Sequence, residues 1–333
     1  MKPKLLFHTL FIITLLSLAL VGCSEQETNK TDSETKQSEK EAKSSESKEM
    51  NTSTRIYKDV TGREVEIPVN PQRVVTTQYL DAMLALGVKP IGAPTHVLDN
   101  NYLGELQAGV EDLGSPFSIE KVLEMAPDLI ISADPEEVEQ LSKIAPTIVI
   151  PWMYGDVFTQ FKEVANVLGK EKEADEWIAR LDDKAAEGRE KIAGKIGKDQ
   201  IVSIFMTYEK DTLRLYGARN IGHVLYRSLQ LTPPSFIQEK LAKDPDFEEF
   251  VYEDISMEKL PDYAGDKIIM LTYGEETQQK DSMLSQIEES SLWKSIDAVK
   301  NNDVYYIGDD PWFTYAPIAI EKSLDEAIKL LSE

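Results

Sequence analysis

The chain has 333 residues, of which 41% are hydrophobic and 29% charged, enough for two lobes of ordinary domain size. Its 59 acidic residues against 36 basic ones give a net charge of -23. This argues against nucleic acid as a partner, because phosphate-binding surfaces need clustered basic side chains. One cysteine and three histidines exclude an intramolecular disulfide and argue against a metal site. GxSxG, HExxH, P-loop and GxGxxG motifs are absent, so we expect a binding protein rather than an enzyme.

The N-terminus has the features of an export signal. Lys2 and Lys4 precede an apolar run over residues 10–21, which is shorter than the roughly 20 residues of a membrane-spanning helix. The run ends in Gly22-Cys23, which resembles the bacterial lipobox. We therefore predict a signal peptide over residues 1–22, lipidation (the palmitate type included) at Cys23, and a protein anchored by lipid to the extracellular face of the cell membrane. The alternative is an ordinary signal peptide or a buried thiol.

The segment that follows has the composition of a linker. Residues 23–54 are rich in Ser, Glu, Lys and Thr and contain no aromatic residue. Such a segment cannot bury enough apolar area to offset its ordering entropy. We predict a disordered linker here; a polar helix is possible but has no apolar stripe to pack.

The first lobe is predicted over residues 55–168. Alternating residues indicate a strand pair with a turn at Thr61-Gly62. A strand over 73–75, a helix over 80–86 and a strand over 88–92 follow. Strands that alternate with helices favour a parallel sheet covered on both faces.

An internal repeat indicates a second, similar lobe. Residues 118–131 align without gaps with residues 256–269, and each reads as a serine cap, a short helix and a buried strand. A strand predicted over 148–150 has a counterpart over 304–307. We infer a duplication in which each lobe has the order strand–helix–strand–helix–strand, all parallel.

The stretch between the repeats predicts the connector. It is nearly free of Gly and Pro and keeps helical spacing, which indicates a connecting helix over residues 169–197 and a C-terminal lobe over 198–333. The fold class is therefore α/β, with two Rossmann-like lobes joined by a single long helix. A rigid connector of this kind would limit closure between the lobes.

Aromatic residues concentrate in the loops beyond the predicted strands, where open parallel sheets bind ligands. We predict an amphipathic ligand-binding face; the alternative is that several of these rings cap the core. Trp312 and Tyr315 are favoured because Pro311 and Pro317 bracket a loop with little else to pack. The predicted aromatic set is Tyr79, Trp152, Tyr154, Tyr208, Tyr273, Trp312, Phe313 and Tyr315.

Arg219 lies on a loop before a helix predicted over 224–229. A planar donor fork near free backbone N–H groups suits an anionic oxygen. The alternative is a surface arginine paired with a nearby carboxylate.

Short motifs recur in a characteristic order after residue 54. They include Ile67-Pro68, Pro71-Gln72-Arg73-Val74-Val75, Leu86-Gly87-Val88, Leu113-Gly114, Pro127-Asp128-Leu129-Ile130-Ile131, Ala145-Pro146-Thr147, Tyr216-Gly217, Val224-Leu225-Tyr226, Ala264-Gly265-Asp266, Leu292-Trp293 and Val304-Tyr305. This order resembles that of the substrate-binding lipoproteins of iron-siderophore ABC importers, in particular the ferric-hydroxamate-binding type. The resemblance implies a class III periplasmic-binding-protein fold with a shallow cleft and little closure.

The resemblance also implies roles for single residues. Glu120 and Glu258 match the glutamates, one on each lobe, that dock the permease; the alternative is that each simply favours the first turn of its helix. Arg219 matches an arginine that contacts hydroxamate oxygens, and Trp312 and Tyr315 match aromatic residues that cover the ligand. The chain is shorter around Arg219 than the family pattern and lacks its glycine-flanked arginine after a tryptophan.

The function so implied is extracellular capture of a ferric siderophore, with hydroxamates favoured, and its delivery to an ABC permease by a monomer. The siderophore supplies the oxygen ligands of the iron, so no cofactor and no protein metal ligand are expected. A haem or corrinoid carrier is the alternative, with His96, Met153 and His223 as candidate axial ligands. Direct capture of a divalent metal would need a His/carboxylate cluster, and a surface enzyme would need a base or nucleophile in the cleft.

Overall fold

The computed structural model describes residues 53–209, 211–274, 279–308 and 310–333. The predicted signal peptide, Cys23 and most of the predicted linker lie outside these residues. The described chain opens with the predicted antiparallel hairpin, β1 (Thr54–Lys58) and β2 (Glu64–Pro68). Asp59 Oδ1 accepts hydrogen bonds from the backbone N–H groups of Thr61 and Arg63, and Gly62 takes the positive φ of 90° that this turn requires.

The first sheet is parallel throughout, with the strand order β5-β4-β3-β6-β7. Its strands are short, and four of the five are buried along their whole length, as expected for a sheet with helices on both faces. The strands are β3 (Val74–Thr76), β4 (Gly92–Ala93), β5 (Glu111–Asp112), β6 (Leu129–Ser132) and β7 (Thr147–Val149).

The second sheet is mixed, with the order β10-β9-β8-β11-β12. Its strands are β8 (Val202–Tyr208), β9 (Thr212–Tyr216), β10 (Tyr252–Asp254), β11 (Lys267–Tyr273) and β12 (Val304–Ile307). β8, β11 and β12 are parallel, whereas β9 and β10 are antiparallel to their neighbours. The prediction of an all-parallel second lobe is therefore wrong. Only residues 209–211 separate β8 from β9, and a parallel pair needs a crossover of about a dozen residues.

The two halves of the sequence repeat occupy equivalent places. β6 lies between β3 and β7, and β11 lies between β8 and β12, in the same parallel arrangement. The preceding helices also correspond. Ser118 caps the first of them by accepting from the N–H of Lys121, whereas Ser256 makes no such cap bond to its own helix.

Helices cover both sheets. They are α1 (Leu80–Ala85), α2 (Thr95–Leu98), α3 (Ile119–Glu124), α4 (Val138–Leu141), α5 (Val157–Leu168), α6 (Glu171–Ile192), α7 (Ser235–Leu241), α8 (Leu260–Tyr263), α9 (Met283–Glu289), α10 (Ser291–Ser295), α11 (Asp297–Lys300) and α12 (Pro317–Ser332). A π-helix spans His223–Ser228, and 3-10 segments span Asn101–Gln107, Pro135–Glu137 and Met257–Lys259. Among the described residues, no helix has the length and apolar character to cross a bilayer.

The helices between the sheets tie the two lobes together. Gly169 ends α5 in the left-handed conformation, and α6 then leads to the second sheet. α12 returns from the second sheet to pack against α1, α5 and α6. One hydrophobic core therefore extends from the first sheet through these helices to the second sheet. The predicted α/β fold of two lobes joined by a long helix is confirmed.

Candidate functional site

A cleft of about 1060 Å³ opens between the carboxyl ends of the strands of the two sheets. Loops that follow β3, β4 and β7 supply one wall, and loops that follow β8, β11 and β12 supply the other. This is the position at which open α/β sheets bind ligands. The cleft is therefore the candidate site.

Stacked aromatic rings form the wall of the second lobe. Tyr208 ends β8 and Tyr273 ends β11, and the parallel register pairs the two residues directly. Their rings stack with centroids 5.0 Å apart and an interplanar angle of 7°. Phe313 contacts Tyr273 at 4.1 Å between centroids. All three residues line the cleft and present a rigid apolar surface with hydroxyl groups at its edge.

Arg219 is a buried residue of the cleft lining. It is only 3% exposed, and its guanidinium lies 4.5 Å over the ring of Tyr315. Its Nη1 donates to the carbonyl of Glu248 at 3.2 Å and its Nη2 to that of Gly155 at 2.9 Å. The structure thus places the predicted pair Arg219 and Tyr315 together in the cleft, with the arginine bridging the two lobes.

A second arginine that the sequence analysis did not single out also lines the cleft. Arg214, on β9, lies between the rings of Tyr208 and Tyr252, at 4.1 and 4.0 Å from their centroids. Its Nε donates to Asp254 at 3.0 Å. The signal was present in the alternation of β9, since Leu213 and Leu215 are buried on one face and Arg214 must therefore point to the other.

The wall of the first lobe carries Tyr79 and Trp152. Tyr79 is buried and its hydroxyl donates to the carbonyl of Ile150; burial raises the pKa of this phenol. Trp152 lies in the loop after β7 and is 65% exposed. Gln160 holds that loop by donating to the carbonyl of Trp152 at 2.8 Å. Both predicted residues line the cleft.

Two predicted ligand residues lie elsewhere. Trp312 is 4% exposed in the hydrophobic core, and its Nε1 donates to Glu326 at 2.7 Å. Its ring packs among hydrophobic core residues and is therefore not part of the cleft lining. Tyr154 is 39% exposed on the same loop as Trp152, yet it too lies outside the lining. Neither ring is therefore part of the cleft lining in this structure.

The three candidate axial ligands do not converge on one place. His96 lines the cleft, where its Nε2 lies 3.0 Å from Gln78 Oε1, and Met153 lines it as well. His223 is fully buried, outside the lining, with its Nδ1 3.3 Å from the hydroxyl of Tyr315. Burial lowers the pKa of His223 to about 3, so its ring is neutral at pH 7. Within the described residues, no cluster of His, Cys, Asp and Glu is arranged to hold a metal ion.

Asp81 joins the two lobes at the side of the cleft. Its carboxylate accepts hydrogen bonds from the N–H groups of Ile318 and Ala319 at the start of α12, at 2.8 and 3.2 Å, and from Tyr102 Oη at 2.9 Å. Burial outweighs these hydrogen bonds and raises the pKa of Asp81 to about 6.

Glu120 and Glu258 occupy the equivalent exposed positions that the repeat predicts. Glu120 lies in the first turn of α3, where its own backbone N–H and the hydroxyl of Ser118 lower its pKa. For Glu258 the hydroxyl of Ser256 and its own backbone N–H lower the pKa. Both side chains are therefore ionised at neutral pH.

Comparisons with known proteins agree with this architecture. A family model described as periplasmic binding protein matches residues 74–311. The iron(3+)-hydroxamate-binding protein YxeB of Bacillus subtilis is 34% identical over 281 residues, covering 82% of this chain and 84% of that protein. The iron(3+)-hydroxamate-binding protein FhuD of the same organism is 34% identical over 325 residues, covering 95% of this chain and 94% of that protein.

A solved structure shows the same fold. It is a FhuD-fold periplasmic binding protein component of a Fep/Fec-like ferrichrome ABC transporter from Bacillus subtilis, with a TM-score of 0.73 and 33% identity. The match covers 83% of this chain and all of that one. The resemblance predicted from the order of motifs is confirmed. The chain belongs to the periplasmic binding protein family.

Proposed function

We propose that this protein captures a ferric siderophore of the hydroxamate type outside the cell and delivers it to an ABC permease. The observation that carries the proposal is the cleft of about 1060 Å³ between the two lobes, in which the second lobe supplies stacked tyrosines and two arginines. Such rings match the apolar shell of a wrapped iron chelate. The 34% identity to two iron(3+)-hydroxamate-binding proteins supports the same ligand class.

The charges around the cleft favour a ligand without large negative charge. Arg214 and Arg219 are balanced by acidic residues that also line the cleft, among them Asp99, Glu249 and Asp310. Fe³⁺ held by three hydroxamates is neutral at its centre, whereas a tris-catecholate complex is strongly anionic. A cleft without excess positive charge would therefore bind the hydroxamate complex at a lower electrostatic cost.

Within the cleft we assign ligand contact to the predicted residues that line it. Tyr79, Trp152, Tyr208, Tyr273 and Tyr315 supply apolar and hydroxyl contacts. Arg219 adds positive charge to the cleft lining, where a partly negative hydroxamate oxygen gains from a nearby guanidinium even without a direct hydrogen bond. The chelate brings its own oxygen ligands for the iron, so the protein needs to recognise only the outer surface of the complex.

Delivery requires a tether and a docking surface. We propose that residues 1–22 are removed as a signal peptide, that Cys23 carries the lipid, and that the following linker lets a monomer reach its permease. Glu120 and Glu258 supply one exposed carboxylate on each lobe, which is the arrangement that two basic pockets on a permease would bind. Replacing Cys23 with serine should release the protein into the medium.

The binding proposal is tested with the full-length protein purified in detergent. Ferrioxamine B, a ferric catecholate, ferric citrate and haem are titrated while tryptophan fluorescence is followed, with iron-free desferrioxamine as the ligand control. We expect saturable quenching by ferrioxamine B at micromolar concentration and weaker binding of the anionic chelates. A Soret band that co-purifies or saturates with haem would instead favour a haem carrier.

A matched pair of tyrosine variants ties binding to the cleft. Tyr273→Ala removes a ring from the lining, whereas Tyr306→Ala removes a ring that is 48% exposed outside it. We expect Tyr273→Ala to weaken binding about tenfold or more and Tyr306→Ala to leave it unchanged. No quenching of the wild-type protein by any ferric chelate would contradict the proposed function.

A further inference from the structure

Arg214 is held rigidly on the cleft face of the second sheet. The antiparallel register pairs it with Asp254 on β10 and Met206 on β8. Tyr208 and Tyr252 are its diagonal neighbours on the two flanking strands, which is within the reach of long and aromatic side chains. The register therefore explains why the guanidinium is enclosed between two rings, at 4.1 and 4.0 Å from their centroids.

The contacts of Arg214 leave its outer nitrogens available. Its Nε is used by Asp254 at 3.0 Å, and no described residue accepts a hydrogen bond from its Nη1 or Nη2. Its side chain is 14% exposed, and the residue lines the cleft. A guanidinium that is stacked on both faces and anchored at Nε can offer the remaining N–H donors only at its edge.

Arg219 has the opposite arrangement. Both of its Nη atoms donate to backbone carbonyls, one from each lobe, and the residue is 3% exposed. A ligand oxygen would have to compete with two formed hydrogen bonds for this guanidinium. At Arg214 the Nη donors are already fixed in position and have no acceptor among the residues that the structure describes.

We propose that Arg214 is a ligand-binding residue of the cleft, which donates from its Nη groups to the oxygen atoms of the iron chelate. Tyr208 and Tyr252 act as positioning residues that hold the guanidinium plane between their rings. Asp254 fixes the orientation of the guanidinium through its hydrogen bond with Nε. Arg219 in contrast chiefly holds the two lobes together. This inference rests on the proposed function, because it names the donor that such a ligand would meet.

The test compares arginine variants in the full-length protein in detergent. Arg214→Met keeps the length of the side chain and removes its donors, Arg214→Lys keeps the charge without the planar fork, and Arg219→Met removes the bridge between lobes. Arg180→Met, on the exposed face of α6, is the matched control. Affinity for ferrioxamine B is measured by fluorescence, and the midpoint of thermal unfolding is measured without ligand.

We expect Arg214→Met to weaken ferrioxamine B binding about tenfold or more, the loss of a hydrogen bond from a charged donor, with an unfolding midpoint close to that of wild type. Arg214→Lys should lower the affinity for ferrioxamine B about fivefold or more, because an ammonium cannot replace the planar, stacked guanidinium. Arg219→Met should lower the unfolding midpoint most. If Arg214→Met proves unfolded, Arg214→Lys carries the same comparison.

Binding by both Arg214 variants within twofold of the Arg180→Met control would overturn the inference while leaving the proposed function standing. Lost affinity that only parallels a lowered unfolding midpoint would overturn it too, since that result marks a structural role. If the wild-type protein binds none of the ferric chelates, the proposed function and the inference fall together.

Discussion

The ion pair between Asp156 and Arg227 allows a quantitative test of how the two lobes are held. Asp156 caps α5 by accepting from the N–H of Thr159 at 2.8 Å. Its other oxygen lies 2.5 Å from Nη1 of Arg227, on the π-helix of the second lobe. The carboxylate is 6% exposed and the guanidinium 33%. Asp156→Ala removes both interactions, whereas Asp156→Asn keeps a capping oxygen and removes the charge.

The two variants separate the cap from the ion pair. Loss of an N-cap costs about 1 kcal/mol. The Asp156–Arg227 pair is partly exposed, so breaking it should cost more than breaking a surface pair. It should cost less than the roughly 3–5 kcal/mol lost when a fully buried pair is broken. We therefore assign about 1–2 kcal/mol to the pair. Asp156→Ala should therefore lower the free energy of unfolding by about 2–3 kcal/mol, and Asp156→Asn by about 1–2 kcal/mol. The corresponding fall in the unfolding midpoint is roughly 5–10 °C for the alanine variant.

The pH dependence has a definite sign. Burial alone would raise the pKa of Asp156, but hydrogen bonds from Thr159 and the charge of Arg227 outweigh it and hold the pKa below its usual value. The stabilisation is then complete above the unfolded-state pKa of about 3.9 and is lost as the pH falls through the folded-state value. The difference in the free energy of unfolding between wild type and Asp156→Asn should therefore shrink as the pH falls through that range.

Equilibrium urea unfolding of wild type, Asp156→Asn, Arg227→Gln and the double variant measures the coupling directly. We expect a coupling energy of about 1–2 kcal/mol at pH 7. A coupling below about 0.3 kcal/mol, the range seen for independent sites, would refute the reasoning that this pair stabilises the junction. Equal destabilisation by the asparagine and alanine variants would show that the cap contributes nothing.

Four further outcomes follow from the geometry of the cleft, the core and the exposed glutamates. Because the pKa of Asp81 is raised to about 6, its contribution to stability is present below about pH 4 and is lost as the pH rises through 6. The free energy of unfolding measured in urea should therefore fall by roughly 3 kcal/mol between pH 4 and 7 because of this residue. Asp81→Asn should remove that fall. Trp152 is the exposed tryptophan of the cleft, so Trp152→Phe should abolish most ligand quenching. Trp312→Phe should leave the affinity unchanged and lower stability by about 1–2 kcal/mol in the same unfolding assay. Glu120→Ala with Glu258→Ala should keep ligand affinity yet abolish uptake of radiolabelled ferric siderophore by cells; normal uptake would contradict the docking role.

The sequence predicted the fold well because local patterns encode it. The repeat of residues 118–131 in 256–269 identified two equivalent parallel strands, β6 and β11, and a stretch nearly free of glycine and proline identified the helix between the lobes. The antiparallel β9 was missed because strand direction depends on the length of a connection, which buried-residue patterns do not report. Residues 209–211 held that information.

The cleft was predicted less completely because side-chain direction is a tertiary property. Tyr315 and Trp312 lie on one loop, yet only Tyr315 lines the cleft. Position on a loop at a strand end says nothing about which ring turns into the core. Arg214 was missed for the converse reason: a strand residue gains its role from Tyr208 and Tyr252 on the neighbouring strands, which only the register brings together.

The shared core constrains how a ligand can enter the cleft. Phe161 on α5 and Trp177 on α6 pack edge to face with centroids 5.2 Å apart, and the same continuous core includes Ile148 of the first sheet and Ile204 of the second. Separating the lobes about a hinge would expose side chains whose burial contributes roughly 1.5–3 kcal/mol each. The ring of Trp152, on a loop of the cleft wall, is already 65% exposed, so moving this ring removes little buried area. We therefore expect ligand exchange to use movement of the Trp152 side chain in preference to separation of the two lobes.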